Sequence, residues 1–284
     1  MEKTAIVTDS NSGLTPEVAA ASEIRVIPML FTLDGREYRE GISLTEEKFF
    51  KSMRNGSSVS TSQLPMTDLT DLWDELLKTY DKVIHIPMSK ALSGGYATAV
   101  MLAEEYDGKV LVIDSQRISV TQASMALEAA RLARSGLTAL EIKEKLNETA
   151  LEASIYITVE SLEYLKKGGR ISAAAAMAGE LLNIKPVLEI KGGLLEVYGK
   201  VRGHKKAKKT MEEALLEDWK RLSAKYGQEK TQLYVGHADA EQEAMELADT
   251  LKEIFPGCTI TIASLPMSIC CHVGPGTIGV AVCV

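Results

Sequence analysis

Short apolar runs alternate with helical patterns through the first half of the chain: TAIVTDS, TPEVAAAS, IRVIPMLFTL, TDLWDELLKTY, KVIHIPM, ATAVMLAEEY, KVLVIDS and SMALEAARLARSG. Runs this short and this rich in Val and Ile, separated by segments of helical period, predict a mostly parallel sheet with helices on both faces. Ligands gather beyond the carboxyl ends of the strands in such sheets. Three expected strand ends, in IVTDS, IPMSKALSGG and VIDSQ, finish in hydroxyl, acidic or glycine residues, and they are expected to share one polar site.

The rhythm changes after about Leu151. SIYITVESLEYLKKGGRIS, the alanine-rich AAAAMAGELL, the hairpin-like PVLEIKGGLLEVYGKV, and later QLYVGHADA and CTITIASLP read as a mixture of helices and hairpins. The fold class expected is therefore α/β, with an N-terminal α/β domain over 1–150 and a C-terminal α+β domain over 151–284. At 284 residues and 45% hydrophobic content, the chain can bury a sizeable core.

Charge and motif content exclude several classes. A net charge of −7 argues against a general nucleic-acid binder. No apolar run approaches the roughly 20 residues of a membrane span, and MEKTAIVTDS has no basic start feeding an apolar core, so a cytoplasmic protein is expected. Cys258, Cys270, Cys271 and Cys283 lack paired metal-ligand spacing and read as reduced, buried thiols. His85, His204, His237 and His272 give no such spacing either, so no metal and no cofactor are expected.

SKALSGGYATA places a glycine turn between an expected strand and helix, which leaves backbone N–H groups free to meet an anion. It lacks the lysine of a nucleotide phosphate loop. Ser93 reads either as a helix cap or as a ligand contact. VSTSQLP, with Thr61 and Ser62, reads alone as a turn and cap or as a site. LEYLKKGGRIS sets Arg170 after a glycine turn, either ordinary helix punctuation or an electrostatic anchor. KVRGHKKAKK packs six basic residues and His204 into ten positions, a solvated face or a surface for an anionic partner. A hydrolase using Ser93 and His272 with Asp9 or Asp114 is the alternative from another class, although no G-x-S-x-G elbow occurs.

Taken together, VTDSNSGL, VSTSQLP, SKALSGGYATA, VIDSQ, LEYLKKGGRIS, LLNIKPVL with GKVRGHKKAKK, and HVGPGTIGV resemble the bacterial DegV family of fatty-acid-binding proteins in order and spacing across nearly the whole chain. The resemblance implies a two-domain fold holding one long-chain fatty acid between the domains. It also implies a non-enzymatic, acyl-presenting subunit whose separate ATP-dependent kinase phosphorylates the carboxylate, giving an acyl phosphate for phospholipid synthesis. Carried over by motif, Thr61, Ser62, Ser93 and Gly94 are expected at the carboxylate, with His272 and Arg170 beside it. Arg202, His204 and Lys205 are expected to face the kinase. A sensor that binds lipid without meeting a kinase is a further alternative. The sequence departs from the family at Gly95, where threonine is usual, at Leu64, which interrupts T-S-Q-P, and at Cys270–Cys271.

The residue types suit that chemistry. A buried carboxylate needs convergent donors, which two hydroxyls and glycine N–H groups supply. AAAAMAGELLNI and VIPMLFTL are expected to line an apolar tunnel. Some 14 methylenes at roughly 0.8 kcal/mol each offer on the order of 11 kcal/mol before binding costs.

Overall fold

A computed structural model describes residues 2–170 and 184–284. Its first sheet is wholly parallel, in the order β2 (Ile24–Ile27), β1 (Thr4–Asp9), β6 (Lys82–Ile86), β7 (Val110–Val112). Side chains alternate across it with the period of a strand. Ile6, Ile84 and Ile86 pack under α5 (Ser119–Arg134) and α6 (Ala139–Thr149), while Ala5, Val7 and Val83 pack under α3 (Met66–Leu76) and α4 (Gly95–Ala103). Both faces are covered, as an all-parallel sheet requires.

IRVIPMLFTL does not form one strand. It breaks at Pro28 and Met29, and Leu30–Leu33 becomes β3, the centre of a small antiparallel sheet between β4 (Arg36–Arg39) and β5 (Val59–Ser62). The Met29 N–H leaves the strand path to donate to Ser10 Oγ at 2.9 Å. VSTS is therefore strand, not turn, with Thr61 opposite Phe31. α1 (Pro16–Ala21) and α2 (Glu46–Arg54) complete this half, and Phe49, Phe50 and Met53 of α2 join Phe31 in the core.

The second sheet is mixed: β10 (Leu194–Arg202), β9 (Ile184–Lys191), β8 (Ala153–Thr158), β13 (Ile278–Cys283), β11 (Gln232–His237), β12 (Ile260–Ser264). PVLEIKGGLLEVYGKV forms the β9–β10 hairpin. One face, with Tyr156, Val187, Val235 and Val280, is covered by α8 (His204–Tyr226) and α9 (Glu241–Ile254). The other face, with Ile155, Ile157, Leu188 and Ala281, meets α2, α7 (Glu163–Lys167) and α10 (Met267–Val273). The architecture is thus mixed α/β, a helix-flanked parallel sheet followed by a C-terminal α+β part.

Arg117 fastens the passage between the sheets. It is buried, and its guanidinium donates to the carbonyls of Thr149, Ala150 and Val284. Two non-glycine residues beside it lie in the left-handed region, Gln116 (φ 50°) in the loop and Ser119 (φ 55°) at the start of α5. Such residues cost energy that surrounding contacts must hold in place. Ile118, Ser119 and Val120, just beyond, form one wall of the cavity described next. Of the four cysteines, all free, Cys258 is half-buried and the other three are buried.

Candidate ligand cavity

A cavity lies where the two sheets face each other across α10 and the small antiparallel sheet. It offers about 190 Å³ to the centres of water molecules. Thr61, Ser62, Ser93, Gly94, Arg170 and His272, the six residues picked out from the sequence, all border it. Ile155, Ile157, Ile190, Leu195 and Ala281 wall one arm with apolar side chains.

At the polar part, Thr61 Oγ1 lies 3.0 Å from Nε2 of His272. Burial first, and the positive charge of Arg170 second, hold His272 down at about 4, so its ring is neutral at pH 7. A neutral imidazole donates from one nitrogen and accepts at the other. With the proton on Nε2, Thr61 accepts from the ring and keeps its own O–H for a ligand. Nδ1 of His272 is buried without a partner and rests against Gly168.

Ser93 precedes α4 at the end of the strand-to-helix turn. Its Oγ accepts from the Gly95 N–H at 3.1 Å, and no side chain at the N-cap residue, Gly94, caps the helix. The cap reading of Ser93 holds, since one lone pair takes an N–H of the first turn, and the residue also borders the cavity. A Cβ on Gly94 would come within 2.6 Å of Gln63 Nε2, the end of a flexible side chain, so a side chain there would displace Gln63. Arg170 is exposed and donates to the Gly168 carbonyl at 2.6 Å, which sets its charge at the cavity edge.

Two of the three expected strand ends meet here, those carrying Asp9 and Ser93. The third turns away: Ser115 donates to the Pro87 carbonyl at 2.9 Å and Asp114 accepts from the Lys90 N–H at 3.2 Å, so only the later Ile118–Val120 reaches the cavity. Asp9 is occupied as well, accepting from Met88 N and Gln122 Nε2 at 2.9 Å each. His272 bonds to Thr61, and among the described residues no carboxylate is its hydrogen-bond partner; Asp9 and Asp114, the two acids considered, bond elsewhere, so neither Ser93–His272–Asp arrangement is assembled.

Asn11, Gln63, His85 and Ser268 also border the cavity and were not singled out from the sequence. Of VIPMLFTL only Met29 reaches it, because Leu30, Phe31 and Leu33 pack into the core. AAAAMAGELLNI lies, apart from Ile184, outside the described residues. Cys270 and Cys271 are buried on α10, where burial raises both thiols and they act as small apolar groups. Arg202, His204 and Lys205 are exposed at the end of β10 and the start of α8. Leu195 on the apolar wall stands seven residues from Arg202, about 23 Å along the strand, so the basic group is no part of the cavity. Among the described residues no cluster of acidic, His and Cys side chains could hold a metal ion, and no helix is long and apolar enough to cross a membrane.

The profile of the DegV family of uncharacterised proteins matches residues 3–284. The chain belongs to the DegV family. A DegV domain-containing protein of Caldanaerobacter subterraneus subsp. tengcongensis is 31% identical over 281 residues, covering 99% of this chain and 98% of that one. Among solved DegV structures, the fatty-acid-binding DegV family protein of Thermus thermophilus superposes with a TM-score of 0.89 at 30% identity, covering 99% of both chains. DegV of Bacillus subtilis, described as a fatty acid binding protein, gives 0.88 at 30% identity, covering 100% of this chain and 99% of that one. A stearic-acid-binding protein of Eubacterium ventriosum gives 0.88 at 26% identity, with 100% and 98% covered.

Proposed function

We propose that this DegV protein binds one long-chain fatty acid, its carboxylate at Thr61, Ser93 and His272 and its chain along the apolar arm. The observation that carries this is the junction of two chemistries in one cavity: the Thr61 and Ser93 hydroxyls, with the His272 ring held against Thr61, open onto walls of branched aliphatic side chains. A carboxylate taken from water needs donors of this kind, and an acyl chain supplies the apolar area that drives binding. Solved DegV structures described as fatty acid binding, and a similar structure described as stearic acid binding, support the same ligand class.

The protein is a carrier in this proposal, presenting the carboxylate to a separate ATP-dependent kinase subunit for acyl phosphate formation. Exposed Arg202, His204 and Lys205 are the surface offered to that partner, where basic charge steers an acidic or nucleotide-bearing surface. Calorimetry with palmitate and with hexadecanol tests the ligand reading. Palmitate binding at one site per chain with clearly weaker alcohol binding is expected, and equal affinity for both would refute carboxylate recognition. Turnover of acyl esters, or labelling of Ser93 by a phosphonate, would replace the carrier by a hydrolase.

A further inference from the structure

Glu40 is a buried carboxyl beside the cavity but not on its wall. It follows β4, is 8% exposed, and accepts the Ser10 hydroxyl. Its remaining bonds reach α10: the Ser268 N–H donates to Oε1 at 2.8 Å, and the Ser268 hydroxyl lies within hydrogen-bond distance of Oε2 at 2.8 Å. Ser268 and His272 stand four residues apart on α10, hence on one face and about 6 Å apart along the axis. His272 in turn bonds to Thr61 on β5. Since β4 and β5 are the two edges of one three-stranded sheet, α10 is tied at one end to one edge and at the other end to the opposite edge.

The two ties differ in kind. Glu40 is bonded wholly within the protein, whereas Thr61 and His272 border the cavity, where the Thr61 hydroxyl is open to a ligand carboxylate. A ligand that recruits Thr61 and His272 loosens one end of the helix and leaves Glu40 holding the other. We propose that Glu40 is a positioning residue for the ligand site, clamping the first turn of α10 so that His272 stays presented toward Thr61 while the ligand exchanges.

The proton inventory specifies the form of the clamp. Ser268 has one hydroxyl proton, yet Oγ lies 2.9 Å from Asn11 Oδ1 and 2.8 Å from Glu40 Oε2, both acceptors when Glu40 is ionised. With the Asn11 carbonyl oxygen turned to Ser268, a protonated Glu40 satisfies the set: its O–H donates to Ser268 Oγ, and Ser268 donates to Asn11. Burial and the neighbouring Asp9 both push the Glu40 carboxyl upward, in the same direction. A neutral acid is close in shape and donor pattern to an amide, so glutamine preserves the clamp and alanine removes it.

The affinity arm of the test rests on the fatty-acid reading above, and the His272 arm does not. Palmitate affinity by calorimetry and the His272 ring resonances of the ligand-free protein are measured for Glu40→Ala, Glu40→Gln and Ser268→Ala. Glu40→Ala is expected to weaken palmitate about tenfold and to move the His272 resonances, as loss of buried hydrogen bonds to a positioning helix would. Glu40→Gln is expected to keep both within about twofold of wild type, because its amide replaces the acid O–H. Arg54→Ala, which removes the half-exposed Arg54–Asp239 pair (2.6 Å) elsewhere between the halves, should change neither. A folded Glu40→Ala protein with wild-type affinity and wild-type His272 resonances overturns the proposal, as does a Glu40→Gln protein as damaged as the alanine variant. Should Glu40→Ala fail to fold, Ser268→Ala decides: it keeps the N–H bond and should still move His272, and unmoved resonances overturn the proposal. A wild-type protein that takes no palmitate refutes the fatty-acid reading, while the His272 resonances continue to judge Glu40.

Discussion

Gly168 and His272 share one space: a Cβ built on residue 168 would overlap Nδ1 of the imidazole. Gly168 has φ −74°, a conformation open to any residue, so glycine is required there for the approach of the ring and not for the backbone. The left-handed residue that ends α7 is the next one, Gly169, at φ 69°. Gly168→Ala is therefore expected to displace His272 from Thr61 and to weaken palmitate by about tenfold, one hydrogen bond to a charged ligand being worth about 1.5–3 kcal/mol. Unchanged affinity in calorimetry would show that the ring has no part in holding the ligand.

Head and tail contribute separably. Thr61→Ala and Ser93→Ala should each cost about 10-fold or more in affinity through loss of a donor to the carboxylate. Shortening the acyl chain by two methylenes should cost about 1.6 kcal/mol, roughly 15-fold, wherever those methylenes are buried. A chain-length series measured on wild type and on Ser93→Ala should give parallel lines. Converging lines would mean that Ser93 acts on the tail.

His85 carries a pH dependence of known sign. It is 2% exposed with its ring edge against Trp73, 5.6 Å between centroids, and neither ring nitrogen has a partner. Burial holds it down at about 3. The unfolded chain takes up the proton near the ordinary value of about 6.5, so His85 favours unfolding increasingly as pH falls below that, by roughly 2 kcal/mol at pH 5. Asp9 and Glu40 act in the opposite direction, because burial raises both and the folded state holds their protons more tightly. Only the difference between wild type and His85→Phe isolates the histidine. That difference should widen from pH 7 to pH 5 in denaturant titrations, with the variant also more stable at pH 7 by about 1 kcal/mol through removal of an unsatisfied buried group. A constant difference would contradict a buried, neutral His85.

The basic surface is separable from the cavity. Replacing Arg202, His204 and Lys205 by alanine should leave palmitate affinity within about twofold, since these residues lie far along β10 from the apolar wall. It should lower acyl phosphate formation with an added kinase subunit, and that formation should weaken with salt in the wild type. An equal loss of palmitate binding would place those residues in the ligand site.

The strand–glycine–helix order around Ser93 could be read locally, because the turn chemistry and the helix start lie within a few residues of each other. The parallel sheet was legible for the same reason, its strands being short Val- and Ile-rich runs with helical stretches between. Thr61 looked like part of a turn because what makes it strand is Leu30–Leu33, some 30 residues away. The break at Pro28 was hidden within a continuous apolar run whose two halves join different sheets. The partner of Thr61, His272, lies 211 residues further on, a pairing that no local pattern records. Glu40 sits in the charged stretch REYRE and reads as surface, and its burial comes from α10, more than 200 residues later. The doubled glycine at 168–169 was the one visible trace of His272, since a single glycine would have sufficed to end the helix.

Mass spectrometry of organic-solvent extracts from the purified, folded protein, alongside Ser93→Ala, tests the carrier function most directly. A long-chain fatty acid near one equivalent per wild-type chain, and markedly less in Ser93→Ala, is the expected result. A folded wild-type protein that carries no fatty acid, and takes none up when palmitate is added, would contradict it.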